Sequence, residues 1–354
     1  MNRSRIVVFA AFLAQLTNPG VVGADSISDE ATLGGTRATA GSPATHFIAD
    51  RLNGIVDVSD EISLRLGAVA TRYSAATGIS AETVFQFTGG ATWEVSDHVA
   101  LGVDASISPT STGTTAQPAT FESPTGAAVP VTVRVRTQTS TAGLGFFAEY
   151  DTAGESNWES VVAATVGGTS YAITQTIPSF VTPGGQVVDR AELRAFCQRN
   201  PCSSDLRNTL DRDSSSLWQL RASLDFTETV FRSTDFDLLG TYYLYTADPS
   251  QVGYYTAGSF SRTTVGDGIP TQPLRFAVRP GVLHRFGSLG VGVSFQHGQY
   301  VDGLGHSEIG GLRVEYRFTK AFKAWITGNL ENDVNGNNQS THTGWVGIGA
   351  RLRF

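Results

Sequence analysis

An all-β chain folded as a transmembrane, antiparallel up-and-down β-barrel of twelve strands is what this sequence predicts, on three observations. Segment after segment alternates apolar residues with polar or small ones at the two-residue period of a β-strand. The connections between segments are by turns short and mostly long, so one end of the molecule is smooth and the other elaborate. The polar faces are studded with charge, so the apolar faces must look out to lipid.

The first residues, Met1 to Ala24, do not belong to this pattern. A basic start (Arg3, Arg5), an apolar run from Ile6 to Leu13 and a small-residue end, Val22-Gly23-Ala24, form the layout of a secretory signal peptide, with cleavage after Ala24. Removing residues 1–24 takes the formal charge from −7 to −9, which excludes nucleic acid as a partner. The stretch 25–60 is rich in alanine, threonine and glycine at its start. It reads as a flexible periplasmic lead, whose piece 46–58 could instead be a small plug or an extra strand.

The barrel proper is assigned to residues 61–354. Its strands fall at about 61–74, 83–95, 98–110, 130–151, 157–176, 216–228, 233–247, 272–286, 288–300, 306–318, 320–332 and 341–354. The second and third illustrate the logic. Phe85, Phe87, Ala91, Trp93 and Val95 oppose Gln86, Thr88, Thr92 and Glu94; a tight Ser96-Asp97 turn follows; then Val99, Leu101, Val103, Ala105 and Ile107 oppose Asp104, Ser106 and Ser108. The strand at 130–151 does not keep one clean face, because Val131, Val133 and Val135 switch parity relative to Leu144 and Phe146. A bulge there, or a strand rising above the membrane, is expected. Aromatics cluster at two levels: Trp93, Trp158, Phe226, Phe286, Tyr316, Phe318, Phe322 and Phe354 near the short turns, and Trp218, Phe85, Phe276 and Phe295 near the long loops.

The last strand is the clearest. Val346, Ile348, Ala350, Leu352 and Phe354 form one face, Trp345, Gly347, Gly349, Arg351 and Arg353 the other, and the chain stops on the phenylalanine. This ending resembles the C-terminal assembly signal of bacterial outer-membrane β-barrels, the porin and channel-like superfamily. The resemblance implies insertion by the barrel assembly machinery and residence in the cell outer membrane among lipid and lipopolysaccharide. With an even strand number, both termini are expected on the periplasmic side.

Inward charge is sorted. The last five strands bring Arg275, Arg279, Arg285, Arg313, Arg317, Lys323, Arg351 and Arg353 inward against Glu315 and Glu331. Strands two to seven bring Glu94, Asp104, Asp225, Asp235 and Asp237 against Arg221. A basic wall facing an acidic one across a low-dielectric lumen predicts a narrow diffusion channel with a preference for small anionic or zwitterionic solutes. The rival readings are a closed barrel whose charges pair and whose loops bind partners, and a lipid hydrolase. The hydrolase needs a serine two residues from a histidine on one strand face, and His306-Ser307, being adjacent, point to opposite faces. No enzyme activity and no cofactor or metal is expected.

Two cysteines, Cys197 and Cys202, lie in the 177–215 loop beside a short helical pattern from Asp189 to Phe196. In an exported chain they are expected to be bonded, bracing the loop by about 2 kcal/mol. That loop is the candidate for a lid over the mouth or an outward binding surface.

Overall fold

The computed structural model describes residues 24–38, 45–74, 81–122, 128–152, 158–199, 214–247 and 273–354. The expected signal peptide lies, except for Ala24, outside the described residues, as does Cys202. The strands are β1 (Ala24–Ala38), β2 (Thr45–Asp57), β3 (Ile62–Tyr73), β4 (Glu82–Ser96), β5 (Val99–Glu122), β6 (Ala128–Asp151), β7 (Trp158–Val181), the short β8 (Val187–Asp189), β9 (Ser214–Val230), β10 (Thr234–Tyr245), β11 (Leu274–Phe286), β12 (Leu289–Tyr300), β13 (Gly305–Arg317), β14 (Phe322–Asn335) and β15 (Ser340–Arg353).

Each long strand pairs antiparallel with its sequence neighbours, β7 pairs with β9 across the β8 excursion, and β1 pairs with β15 from Ser26–Arg353 to Ala38–Thr341. The sheet therefore closes on itself as a barrel, the condition for placing backbone polar groups in hydrocarbon. Fourteen strands make the wall, β8 standing outside it.

The expected count of twelve is corrected by the N-terminal hairpin: residues read as a lead or plug are β1 and β2, which insert between β3 and β15. The even number survives because two strands are added. Their apolar signal is thin for a physical reason. Register points Ile27, Asp29, Ala31 and Leu33 outward from β1, and Ile48, Asp50, Leu52, Gly54 and Val56 from β2, so an acid interrupts each apolar run.

The outward face elsewhere is apolar and exposed. Ile348, Leu330, Phe286, Val166, Leu224 and Phe146 are all between 56% and 74% exposed, and the expected aromatics Trp93, Phe322, Phe354, Trp218, Phe85 and Phe295 are on the same face. A lipid-facing exterior with the polar set inside is the reverse of a soluble barrel.

Strands β5, β6 and β7 are 24 residues each, whereas about 9–11 suffice to cross a bilayer. The 111–129 stretch read as a loop is mostly strand, pairing down to Glu122–Ala128. The expected irregularity of β6 is present as register shifts opposite Ser108/Ser111 and at Arg134/Arg136. The three strands thus rise beyond the band as a tower. At its top β8 folds back on β7, and α1 (Arg190–Arg199) follows. Asp189 accepts from the Glu192 backbone at 2.8 Å while Glu192 accepts from the Asp189 backbone at 3.3 Å, a reciprocal cap that starts the helix where the sequence expects it. Leu193 and Cys197 are its buried residues.

Candidate functional site: the lumen

Register fixes what faces inward. Starting from the inward pair Arg351–Lys323, parity carries round the barrel through Arg313, Gly292, Leu283, Asp235, Thr229 and onward to Glu30, which lies opposite Gly349. Glu94, Asp104, Asp225, Asp237, Arg279, Arg313, Arg317, Lys323 and Arg351 all lie on this inward parity, as the alternation predicts.

Arg275 is the exception. The β11–β12 register slips between Leu274 and Phe276, and Arg275 sits at the long-loop rim, 3.6 Å from Asp302, with half of its side chain exposed. The buried inward residue at this level is Leu274. A bulge at the end of a strand inverts parity beyond it, and alternation alone does not reveal one.

Many of the inward charges are held flat along the wall. Arg285 grips Asp235 through two bonds of 2.9 and 2.5 Å, across the β10–β11 seam. Glu315 takes Arg313 and Lys323, each at 3.2 Å. Arg65 and Asp104 meet at 3.2 Å although β4 lies between their strands. They can do so because the intervening residue is Gly90: a Cβ there would run into the Asp104 carboxylate. Gly349 does the same for Trp325, whose ring lies across it to donate to Glu30 at 3.0 Å, with the Arg313 guanidinium 4.9 Å from the ring centre.

Among the described residues two cavities stand out inside the barrel. The larger, about 560 Å³, is a chamber lined from β2 round to β11. One side of it carries neutral polar groups, Asn53, Gln86, Thr88 and Ser106, with the Arg65–Asp104 pair. The other side carries Tyr171, Tyr243 and Tyr245. Tyr171 donates to Gln219 at 3.2 Å, Gln219 donates to Tyr245 at 3.0 Å, and Tyr245 donates to the Leu274 carbonyl at 2.8 Å, so the relay spends the hydroxyls on the wall and leaves the rings to the lumen. Beside it on the same inward face pack Leu217, fully buried, and Ile173; Leu274, Ala277 and Tyr300 form an adjoining apolar cluster against Tyr243.

The second cavity, about 450 Å³, lies at the short-turn end and is lined by Arg317, Lys320, Lys323, Arg351 and Arg353 with Ala321. Arg351 also donates to the Ser26 hydroxyl at 3.1 Å. Round the same end stand the acids Glu94, Glu149 and Glu159 on β4, β6 and β7. Five cations converging on one cavity repel one another and attract anions.

The tyrosine wall is what sequence reasoning missed. Tyr243 and Tyr245 share the parity of Asp235 and Asp237, and that placement on the wet face was the available signal. Linking them to Tyr171, two strands away, requires the register.

One seam of the wall is incomplete. The β4–β5 ladder runs from Ser96–Val99 to Phe87–Ile107 and stops. Above it β4 continues along β3 to Glu82, and β5 continues along β6, with Pro109, which has no N–H to donate, just beyond the break. Phe85, Phe87 and Ile107, each about half exposed, flank the seam on the lipid side.

No protein-family model matches the chain, and no curated protein matches it. In structure it is similar to a FadL homologue of Pseudomonas aeruginosa (TM-score 0.56, 11% identity, 93% of this chain against 90% of that one). It is likewise similar to the toluene transporter TbuX of Ralstonia pickettii (0.57, 9%, 93% against 89%) and to the monoaromatic hydrocarbon channel CymD (0.54, 8%, 100% against 93%). At such identities the likeness is one of fold. That fold is the closed antiparallel β-barrel with an apolar exterior described above.

Proposed function

We propose that this protein is an outer-membrane diffusion channel, not an enzyme, for small solutes with a largely apolar body, which rest in the tyrosine-walled chamber on their way through. The observation that carries this reading is the two-sided chamber. A 560 Å³ space faced by three tyrosines suits a single ring or short chain better than a fully hydrated ion. The structural neighbours, a toluene transporter and a monoaromatic hydrocarbon channel, lend the same reading support by analogy. Proteoliposomes containing the full mature chain should take up benzyl alcohol faster than glycerol. Equal rates, scaling only with solute size, would refute it.

The incomplete β4–β5 seam favours a second route, in which an apolar solute leaves sideways into the bilayer. A disulfide engineered between Gln86→Cys and Ser108→Cys should slow transfer of toluene into lipid while leaving ion conductance in place; unchanged transfer would dismiss the lateral route.

The sorted charge supports the original expectation of small anionic or zwitterionic solutes only at the short-turn mouth, where the cations converge. Signal cleavage after Ala24, termini on the periplasmic side, contacts with lipopolysaccharide, assembly through the Phe354-terminated strand and a Cys197–Cys202 bond belong to the same proposal.

A further inference from the structure

Between β6 and β7 the chamber wall is bare. Gly145 lies directly opposite Gly167, Gly143 is one inward position along β6, and all three line the chamber. No side chain covers the peptide planes at Gly145: a Cβ added there would meet nothing nearer than the Val166 carbonyl at 3.8 Å and the Gly167 Cα at 3.9 Å. An antiparallel pair stripped of side chains presents a flat face about the width of one ring.

Arg221 stands at the edge of this patch. It lies opposite Gly167 across the β7–β9 seam and opposite Tyr243 across the β9–β10 seam. It is exposed to the chamber and forms no ion pair among the described residues. On β9 and β10 the other inward charges are Asp225, Asp235 and Asp237, all farther toward the short turns. Asp235 is already taken by Arg285. A guanidinium without a partner among the described residues, beside a flat glycine floor and a tyrosine ring, leaves room for two things: a carboxylate for its fork and a planar body for the floor.

We propose, building on the channel reading above, that the chamber's solute is a small planar aromatic acid, its ring laid on the Gly145–Gly167 patch and its carboxylate held by Arg221. Tyr243, opposite Arg221 on the next strand, borders the ring, and the cations at the short-turn mouth draw the acid onward. Arg65, the other arginine of the chamber, does not compete, because Asp104 occupies it.

The test uses the full mature protein in planar bilayers, with benzoate, benzyl alcohol and cyclohexanecarboxylate as probes. Benzoate should interrupt the ion current at concentrations well below those needed for benzyl alcohol, which lacks the charge, or for cyclohexanecarboxylate, which lacks the plane. Arg221→Gln should weaken the benzoate block by about tenfold or more and abolish its advantage over benzyl alcohol. Arg221→Lys should restore part of it. Gly145→Ala, whose Cβ the wall accommodates, should weaken block by both aromatic probes. Openings that benzoate leaves undisturbed, or a block untouched by Arg221→Gln, would overturn the acid site while leaving the channel intact. A wild-type protein that never opens would overturn both.

Discussion

The chamber and the short-turn mouth are built on the same strands with the same alternation, yet they use polarity in opposite ways. In the chamber, Tyr171, Gln219 and Tyr245 bond to one another and to the wall, and apolar residues such as Leu217 and Leu274 are buried beside the rings. At the mouth, five cations line one cavity, and among the described residues only Lys323 of the five has an acid within ion-pairing distance. A satisfied polar group contributes to stability and surrenders its field; an unsatisfied charge does the reverse. Stability should therefore be concentrated in the chamber wall and ion selectivity at the mouth.

The largest effect expected of a single change is on stability, in the chamber. Leu217→Ala empties a fully buried site packed against Tyr171, Ile173 and Tyr245 and should cost about 2–5 kcal/mol, read by denaturant unfolding in detergent micelles. Cost below about 0.5 kcal/mol would mean the tyrosine wall is not a packed unit. Next comes the seam between the two regions. Asp235→Asn removes the charge that holds Arg285 by two bonds and should cost about 1–3 kcal/mol in the same assay. No loss would show that the pair is as dispensable as an exposed one.

Arg351→Glu combined with Arg353→Glu should leave stability within about 1 kcal/mol, yet move the reversal potential under a salt gradient toward cation selectivity. That shift should shrink between 0.1 and 1 M salt, as the screening length falls from about 10 to 3 Å. Smallest is the expected effect of Arg275→Glu. Arg275 lies at the long-loop rim beside Asp302, so it should alter selectivity less than Arg279→Glu; a larger shift would return it to the pore wall.

Period-two parity was legible wherever the membrane enforced it. From Ile62 onward the lipid-facing residues are apolar because hydrocarbon tolerates little else, and strands β3 to β15 other than β8 follow from that rule. It faded in two places for two reasons. In β1 and β2, Asp29 and Asp50 sit on the outward parity and break the apolar run. In the tower of β5–β7, both faces are outside the bilayer, so no solvent contrast marks Ser111 to Glu122 as strand; pairing with β6 does. Within the site, inward charge was legible, because parity alone decides it. The chamber was not, since Tyr171, Gln219 and Tyr245 come from three strands and only the register brings them into one relay.

Adjacent residues with opposite orientations give the most direct test of the central claim, that a continuous aqueous lumen runs inside an apolar exterior. Ser223 faces the lumen and Leu224, 56% exposed, faces the lipid. In single-channel recordings, a charged membrane-impermeant thiol reagent should reduce the current through Ser223→Cys in discrete steps and leave Leu224→Cys and the unsubstituted protein unchanged. Stepwise modification of Leu224→Cys with Ser223→Cys inert, or no discrete openings from any of the three, would contradict the account.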